Sequence, residues 1–281
     1  MIPVFYSPQM VADSECFSPS AAKPAKVVAS WQEKFPVQVI APTPVTLEEI
    51  ARAHDPDWML RVLKGEADNG FSNRSLVVAE SLPYTSGAML SAARHAVQTG
   101  KVAAAPCSGF HHAEHARAMG YCTFNGLMIA ALALRAEGVK RVGILDLDMH
   151  YGNGTDDILK RVGNLDGWCK HFTAGYEIER PDQAEYFFNA WLPEALQALS
   201  SCDVVLFQAG ADPHIMDPYG GWLETEELRK RDAMVFDAMA AAKVPVAWNL
   251  AGGYQVKADG SIPAVLEIHD NTMRECVRVY G

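Results

Sequence analysis

The sequence predicts an α/β protein: a mostly parallel, multi-stranded sheet with helices on both faces in a three-layer arrangement. Three observations predict it. From residue 100 onward, short runs rich in Val, Ile and Leu alternate with longer segments of helical period, the pattern of successive β-α-β units. The chain has 281 residues, 49% of them hydrophobic and 21% charged, enough for a sizeable core. No internal repeat, low-complexity tract or long charge block divides it, so one continuous domain over residues 1–281 is expected.

Taken in order, Ile2–Tyr6 and Val37–Ile40 read as strands, and Ser86–Gln98 as a helix with apolar residues at Met89, Leu90, Ala93 and Val97. Strands are then expected at Val102–Pro106, Arg141–Asp148, Asp203–Gln208 and Val244–Leu250. Helices are expected at Phe124–Glu137, Gly154–Arg161, Gln183–Leu199 and Glu224–Ala242.

Charge and composition exclude several function classes. With 24 basic and 34 acidic side chains the net charge is −10, and the basic residues are scattered, which argues against nucleic-acid binding. No basic n-region opens the chain and no apolar run approaches the roughly 20 residues that span a bilayer, so no membrane association and a cytoplasmic location are expected. Six cysteines lack any C-x-x-C pair and read as reduced, mostly buried thiols.

In an open parallel sheet, ligands bind outside the carboxyl ends of the strands. The residues following the predicted strands are His111 and His112; Asp146, Asp148 and His150; Asp212; and Gly252, Gly253 and Tyr254. Carboxylates, imidazoles and a phenol delivered to one rim suggest a metal-dependent site. Asp148 and His150, two apart, share a face, and Asp212 completes a set of one imidazole and two carboxylates that suits Zn(II), Fe(II), Mn(II) or Co(II). Such a metal polarises a carbonyl and acidifies water. The competing reading makes Asp146 and Asp148 helix caps and His150 a packed residue.

Adjacent histidines on an extended chain point apart, so His111 and His112 serve one site only from a bent loop, one as base and the other as an electrostatic partner. Tyr254, after two glycines, can present a phenol to an oxyanion. Gly152-Asn153-Gly154-Thr155 is a poor phosphate loop. It lacks the lysine, and Asp156 and Asp157 oppose an anion at that helix start.

Five segments together resemble the histone deacetylase and acetylpolyamine amidohydrolase family, of the arginase-deacetylase fold. They are Ser108–Ala113, Gly120–Asn125, Asp146–Thr155, Ala209–His214 and Gly252–Tyr254, in the family's order and spacing. The resemblance implies one catalytic zinc on Asp148, His150 and Asp212, with His112 as general base, His111 as its electrostatic partner and Tyr254 as the oxyanion donor. It places Asp146 and Asn153 behind His111 and His112, and puts a neutral amide where the family often has Asp. It also implies a structural potassium ion near Asp146, and a narrow channel formed by Phe110, Gly120 and Tyr121 with Cys122 near the metal. The expected substrates are acyl-lysine or a small acylated amine such as a polyamine, most simply acetylated. Two departures stand out. The aromatic Gly-rich segment after the strand near residues 170–173 is replaced by Ala174-Gly175-Tyr176-Glu177. Tyr219 occupies a position that in relatives influences the choice between lysine and polyamine.

Two other readings compete with this one. A binuclear manganese ureohydrolase needs acids where Gly152 and Gly210 stand. A non-catalytic sensor usually lacks a ligand, the base or the tyrosine, and here all are present.

Overall fold

The computed structural model describes residues 1–281. Seven parallel strands form one sheet in the order β2-β1-β3-β7-β6-β4-β5. They are β1 (Ile2–Phe5), β2 (Val37–Ile40), β3 (Val102–Ala105), β4 (Val142–Asp146), β5 (Cys169–Thr173), β6 (Val204–Gln208) and β7 (Val246–Asn249). The four central strands β3, β7, β6 and β4 are buried throughout, which is why they are written almost entirely in Val, Ile, Leu, Phe and Ala.

Helices cover both faces: α1 (Lys23–Lys34), α2 (Leu47–Ala51), α3 (Pro56–Leu63), α4 (Leu76–Thr99), α5 (Gly126–Ala136), α6 (Asn153–Val162), α7 (Ala184–Tyr186), α8 (Leu192–Leu199), α9 (Thr225–Ala242) and α10 (Pro263–Tyr280). Successive strand residues point to opposite faces. Leu145, Phe207 and Trp248 therefore join the core under α1, α8, α9 and α10, while Ile144, Leu206 and Ala247 join the core under α4 and α5. No helix is long and apolar enough to cross a membrane.

The strand predictions hold, Val37–Ile40 unchanged and the others with an end trimmed by one or two residues. The helix expected over Ser86–Gln98 begins ten residues earlier, at Leu76, where the Ser75 hydroxyl accepts from Val78 N–H. The helix expected over Gln183–Leu199 runs without a break from Ala184 to Leu199, its hydrogen-bond register widening to a π-helical stretch at Phe187–Trp191. The sequence reading did not assign α1, α2, α3 or α10. In α1 and α10 polar side chains are buried among the apolar ones, namely Lys23 and Ser30, and His269 to Thr272 with Glu275.

One register row decides where the chemistry sits. Ala105 pairs with Asn249, Asn249 with Gln208, Gln208 with Asp146, and Asp146 with Thr173. The loops after β3, β7, β6 and β4 therefore leave the sheet side by side.

Candidate functional site

Asp148 and His150 follow β4, and Asp212 follows β6. Their ligand atoms lie within 4.8 Å of one another, and both carboxylates are buried. His150 Nδ1 lies 3.1 Å from Asp148 Oδ1 and 3.1 Å from Asp212 Oδ2. Around them the backbone closes in. A Cβ on Gly252 would lie 2.3 Å from Asp212 Oδ2 and 2.8 Å from Asp148 Oδ2, and the Gly252 N–H donates to Asp148 Oδ2 at 2.9 Å.

Two fully buried carboxylates this close cannot both be comfortably ionised. Burial opposes ionisation of Asp148, but the charges on His111 and His150 and the hydrogen bond from His150 hold it well below the usual range. Burial and the Asp148 charge push Asp212 up to about 7. Burial disfavours the charged form of His150, yet its bonds to the two carboxylates raise it to about 11. Hard oxygen donors and one imidazole converging on a point fit a divalent cation.

His111 and His112 sit in the bent loop after β3 and do serve one site, their ring centroids 4.1 Å apart. His111 Nδ1–H donates to Asp146 Oδ2 at 2.6 Å, and its Nε2 lies 3.6 Å from Asp148 Oδ1. Burial works against its charge, but Asp146 and Asp148 raise it to about 9, favouring the charged ring. His112 is the opposite case. Burial first, then the neighbouring His111 charge, lower it to about 4. Its Nδ1–H donates to Asn153 Oδ1 at 2.7 Å, and Asn153 Nδ2 is held by Glu114 Oε1 at 3.0 Å, which orients the amide. The tautomer assigned by this network leaves the His112 Nε2 lone pair free.

The glycine run before α6 does bind something, but not phosphate. The N–H groups of Gly154 and Thr155 donate to the His111 carbonyl at 2.8 and 3.1 Å. The helix start thereby fastens the histidine loop.

A pocket of about 340 Å³ opens over the site, lined by Gly70, Ser72, His112, Gly120, Tyr121, His150, Tyr219 and Tyr254. Gly120, at φ +57°, passes so close to His112 that a Cβ would lie 2.4 Å from its Cδ2. Burial, then the nearby Asp212 and Asp148, raise the Tyr254 hydroxyl well above its ordinary value, so it remains a proton donor. The Tyr219 ring meets that of Tyr254 edge-on at 4.9 Å, and the Tyr121 and Tyr219 hydroxyls are 2.6 Å apart.

Phe110 is placed differently from the expected channel. It is buried and lines an inner cavity with Met10, Ser20 and Leu82, its ring packed on Gly126 where a Cβ would lie 2.6 Å away. Gly175 packs against the His150 backbone, and the 70–72 segment supplies wall to the entrance pocket. Burial raises the Cys122 thiol, keeping it a neutral packing residue.

Several supporting residues escaped the sequence reading. Gln208 Nε2 donates to Asp146 Oδ1 at 2.9 Å. Lys23 is fully buried and donates to the carbonyls of Ala251 and Gly252 at 2.6 and 3.0 Å; burial lowers it to about 8. Asp217 accepts from the N–H groups of both Tyr219 and Tyr254, at 3.1 and 2.8 Å, and so fixes the two tyrosines relative to each other. Gln208 and Asp217 stand at the strand end and in the loop already flagged, so polarity at those places was the available signal. Lys23 had none.

Known proteins resemble this chain in sequence and in fold. The chain is 29% identical over 244 residues to an uncharacterized protein of Picosynechococcus sp., covering 78% of this chain and 79% of that one. It is 28% identical over 198 residues to acetylpolyamine amidohydrolase 1 of Pseudomonas aeruginosa, covering 61% and 56%. With histone deacetylase 14, chloroplastic, of Arabidopsis thaliana it shares 26% identity over 215 residues, 62% of this chain and 51% of that protein. The chain thus spans little more than half the length of these two curated deacetylases. In fold it is similar to the HDA15 HD domain, with a TM-score of 0.79 at 19% identity, covering 99% of this chain and 90% of that one. It is also similar to an acetylpolyamine aminohydrolase from Burkholderia pseudomallei, with a TM-score of 0.71 at 19% identity, covering 99% and 98%. The histone deacetylase domain model matches residues 19–166, more than half of the 281, and the chain belongs to that family.

Proposed function

We propose that residues 1–281 form one catalytic domain that hydrolyses the amide of an acylated amine, most simply an acetyl group on lysine, using one zinc ion per chain on Asp148, His150 and Asp212. The observation that carries this reading is the convergence of those three ligands beneath a pocket that also holds His112 and Tyr254. A divalent cation held there would polarise the substrate carbonyl and lower the pKa of water.

The chain's own residues supply the rest. His112, neutral and with Nε2 free, takes the proton of the attacking water and passes one to the leaving amine. His111, kept cationic by Asp146, balances the carboxylates behind it. Tyr254 donates its hydroxyl hydrogen to the carbonyl oxygen as negative charge develops there.

The entrance pocket is lined without any carboxylate, which favours a neutral acyl-lysine stem over a polycation. A small acylated amine is the second reading, favoured by the Tyr121–Tyr219 hydroxyl contact over the site. Potassium rests on the resemblance alone, since the Asp146 carboxylate already accepts from His111, Gln208 and the Asp148 N–H. The binuclear reading has no further ligands, because Gly210 presses directly on Asp148 and Asp212.

Elemental analysis run beside hydrolysis of acetyl-lysine, longer acyl-lysine and acetylpolyamine panels tests the proposal. The expected result is one equivalent of zinc with chelator-sensitive cleavage. Full activity of Asp148→Ala or His150→Ala on every substrate found overturns it.

A further inference from the structure

The metal ligands come from two neighbouring strands whose hydrogen-bond ladder ends just where the ligands begin. The last ladder bond between them is Leu147 N–H to Gln208 O, at 3.0 Å. Beyond it, Gly210 comes so close to the β4 extension that a Cβ would lie 2.7 Å from the Asp148 Cα. Arg231, on α9, reaches this junction from the layer below. Its Nη1 donates to Leu147 O at 3.0 Å and to Gly210 O at 2.7 Å. Leu147 directly precedes Asp148, and Gly210 lies two residues before Asp212. One guanidinium nitrogen therefore ties together the two backbone segments that carry the carboxylates.

The guanidinium is itself anchored. Arg231 and Asp232 are both fully buried, Nε donates to Asp232 Oδ1 at 2.8 Å, and Thr272 on α10 donates to Asp232 Oδ2 at 2.6 Å. Arg231 Nη2 has no partner. A buried ion pair with an orphan donor is a poor stabilising device, and apolar residues of similar volume often do as well or better. A planar guanidinium that holds Asp232 through Nε and two backbone carbonyls through Nη1, by contrast, does what apolar residues cannot.

We propose that Arg231 is a positioning residue for the metal centre, setting the separation of Asp148 and Asp212 through their backbones, with Asp232 and Thr272 holding it in place. This rests on the reading of Asp148, His150 and Asp212 as metal ligands. Lysine keeps the charge but not the planar fork, so Arg231→Lys separates charge from geometry.

The test uses cobalt(II) as the probe on the metal-free full chain, following the visible absorption band and the dissociation constant, with circular dichroism as the check of folding. Arg231→Lys is expected to fold, to bind cobalt about 10- to 100-fold more weakly and to show an altered band, as losses behind metal ligands commonly do. Should it not fold, Thr272→Val, which removes the hydroxyl's bonds to Asp232 and to the Ile268 carbonyl within α10, is expected to weaken cobalt binding several-fold. Wild-type affinity and an unchanged band in folded Arg231→Lys, or in Thr272→Val where that variant must decide, overturn the proposal. Wild-type protein that takes up no cobalt overturns the metal reading itself, whereas wild-type uptake matched by the variants overturns only the role of Arg231.

Discussion

The hydroxyls of Tyr121 and Tyr219 lie 2.6 Å apart, joining two loops 98 residues distant in sequence over the pocket that holds His112 and His150. Tyr219 also packs edge-on against Tyr254, so the contact spans the approach to the site. A substrate too wide for the gap must part the pair. Since a neutral hydrogen bond contributes about 1 kcal/mol net, Tyr219→Phe should raise kcat/KM for bulky acyl groups about fivefold. Small acetylated amines should be nearly unaffected. Equal responses across an acyl-length series would show that the pair does not select.

Asn153 leaves His112 without the carboxylate partner that His111 has in Asp146. Exchanging the two residues that form the amide–carboxylate pair, by Asn153→Asp with Glu114→Gln, puts an anion on His112 Nδ1 and raises its pKa. A base works only when deprotonated, so the acid limb of kcat/KM should move to higher pH, by about one unit. A limb that stays in place or moves to lower pH counts against His112 as the base.

His54, which makes no hydrogen bond to Asp148, His150 or Asp212, supplies a second pH dependence. Its Nδ1–H donates to the carbonyls of Glu114 and His115, and its Nε2 accepts from Asn125 N–H at 2.8 Å, so only the neutral ring fits. Burial lowers its pKa to about 4 from an ordinary 6.5. Between those values the unfolded chain binds the proton and the native one does not, so the contribution is fully present above pH 6.5 and is lost as pH falls toward 4. His54→Gln can keep an acceptor for Asn125 without titrating. From pH 7 to pH 5 the wild type should lose about 2 kcal/mol more than this variant, measured by urea unfolding. Parallel losses would rule out His54 as the source.

Gly252 is where the loop after β7 meets both carboxylates. The side chain introduced by Gly252→Ala would occupy the space between them, its Cβ 2.3 Å from Asp212 Oδ2. Overpacking costs about 1–3 kcal/mol, which the fold should survive. Metal content after dialysis should fall by at least about 10-fold. In the wild type a chelator should lower Tm, because a ligand of the native state is withdrawn; in the variant it should not. Retained metal and an unchanged chelator response would disprove the crowding argument.

Much of the site was legible because its residues follow strands. Asp148, His150, Asp212 and the His111–His112 pair were found from local pattern and from the rule that open parallel sheets bind at their carboxyl edge. The register row from Ala105 to Thr173 aligns the strand ends from which those residues leave. Phe110 was misplaced for a reason local pattern does not contain: the bend that brings both histidines inward turns Phe110 toward Gly126 and α5.

The sequence by itself determined the parallel α/β class, the order of the central strands along the chain and the identity of the metal-ligand candidates. Each of these is carried by periodicity or by residues a few positions apart. Tertiary structure decided which buried charges serve the ligands. Lys23 grips Gly252 across 229 residues, and Arg231 reaches Leu147 across 84. Such pairs have no spacing signature. A buried cation is tolerated only where distant carbonyls and carboxylates meet it, and that meeting exists only once the layers have packed.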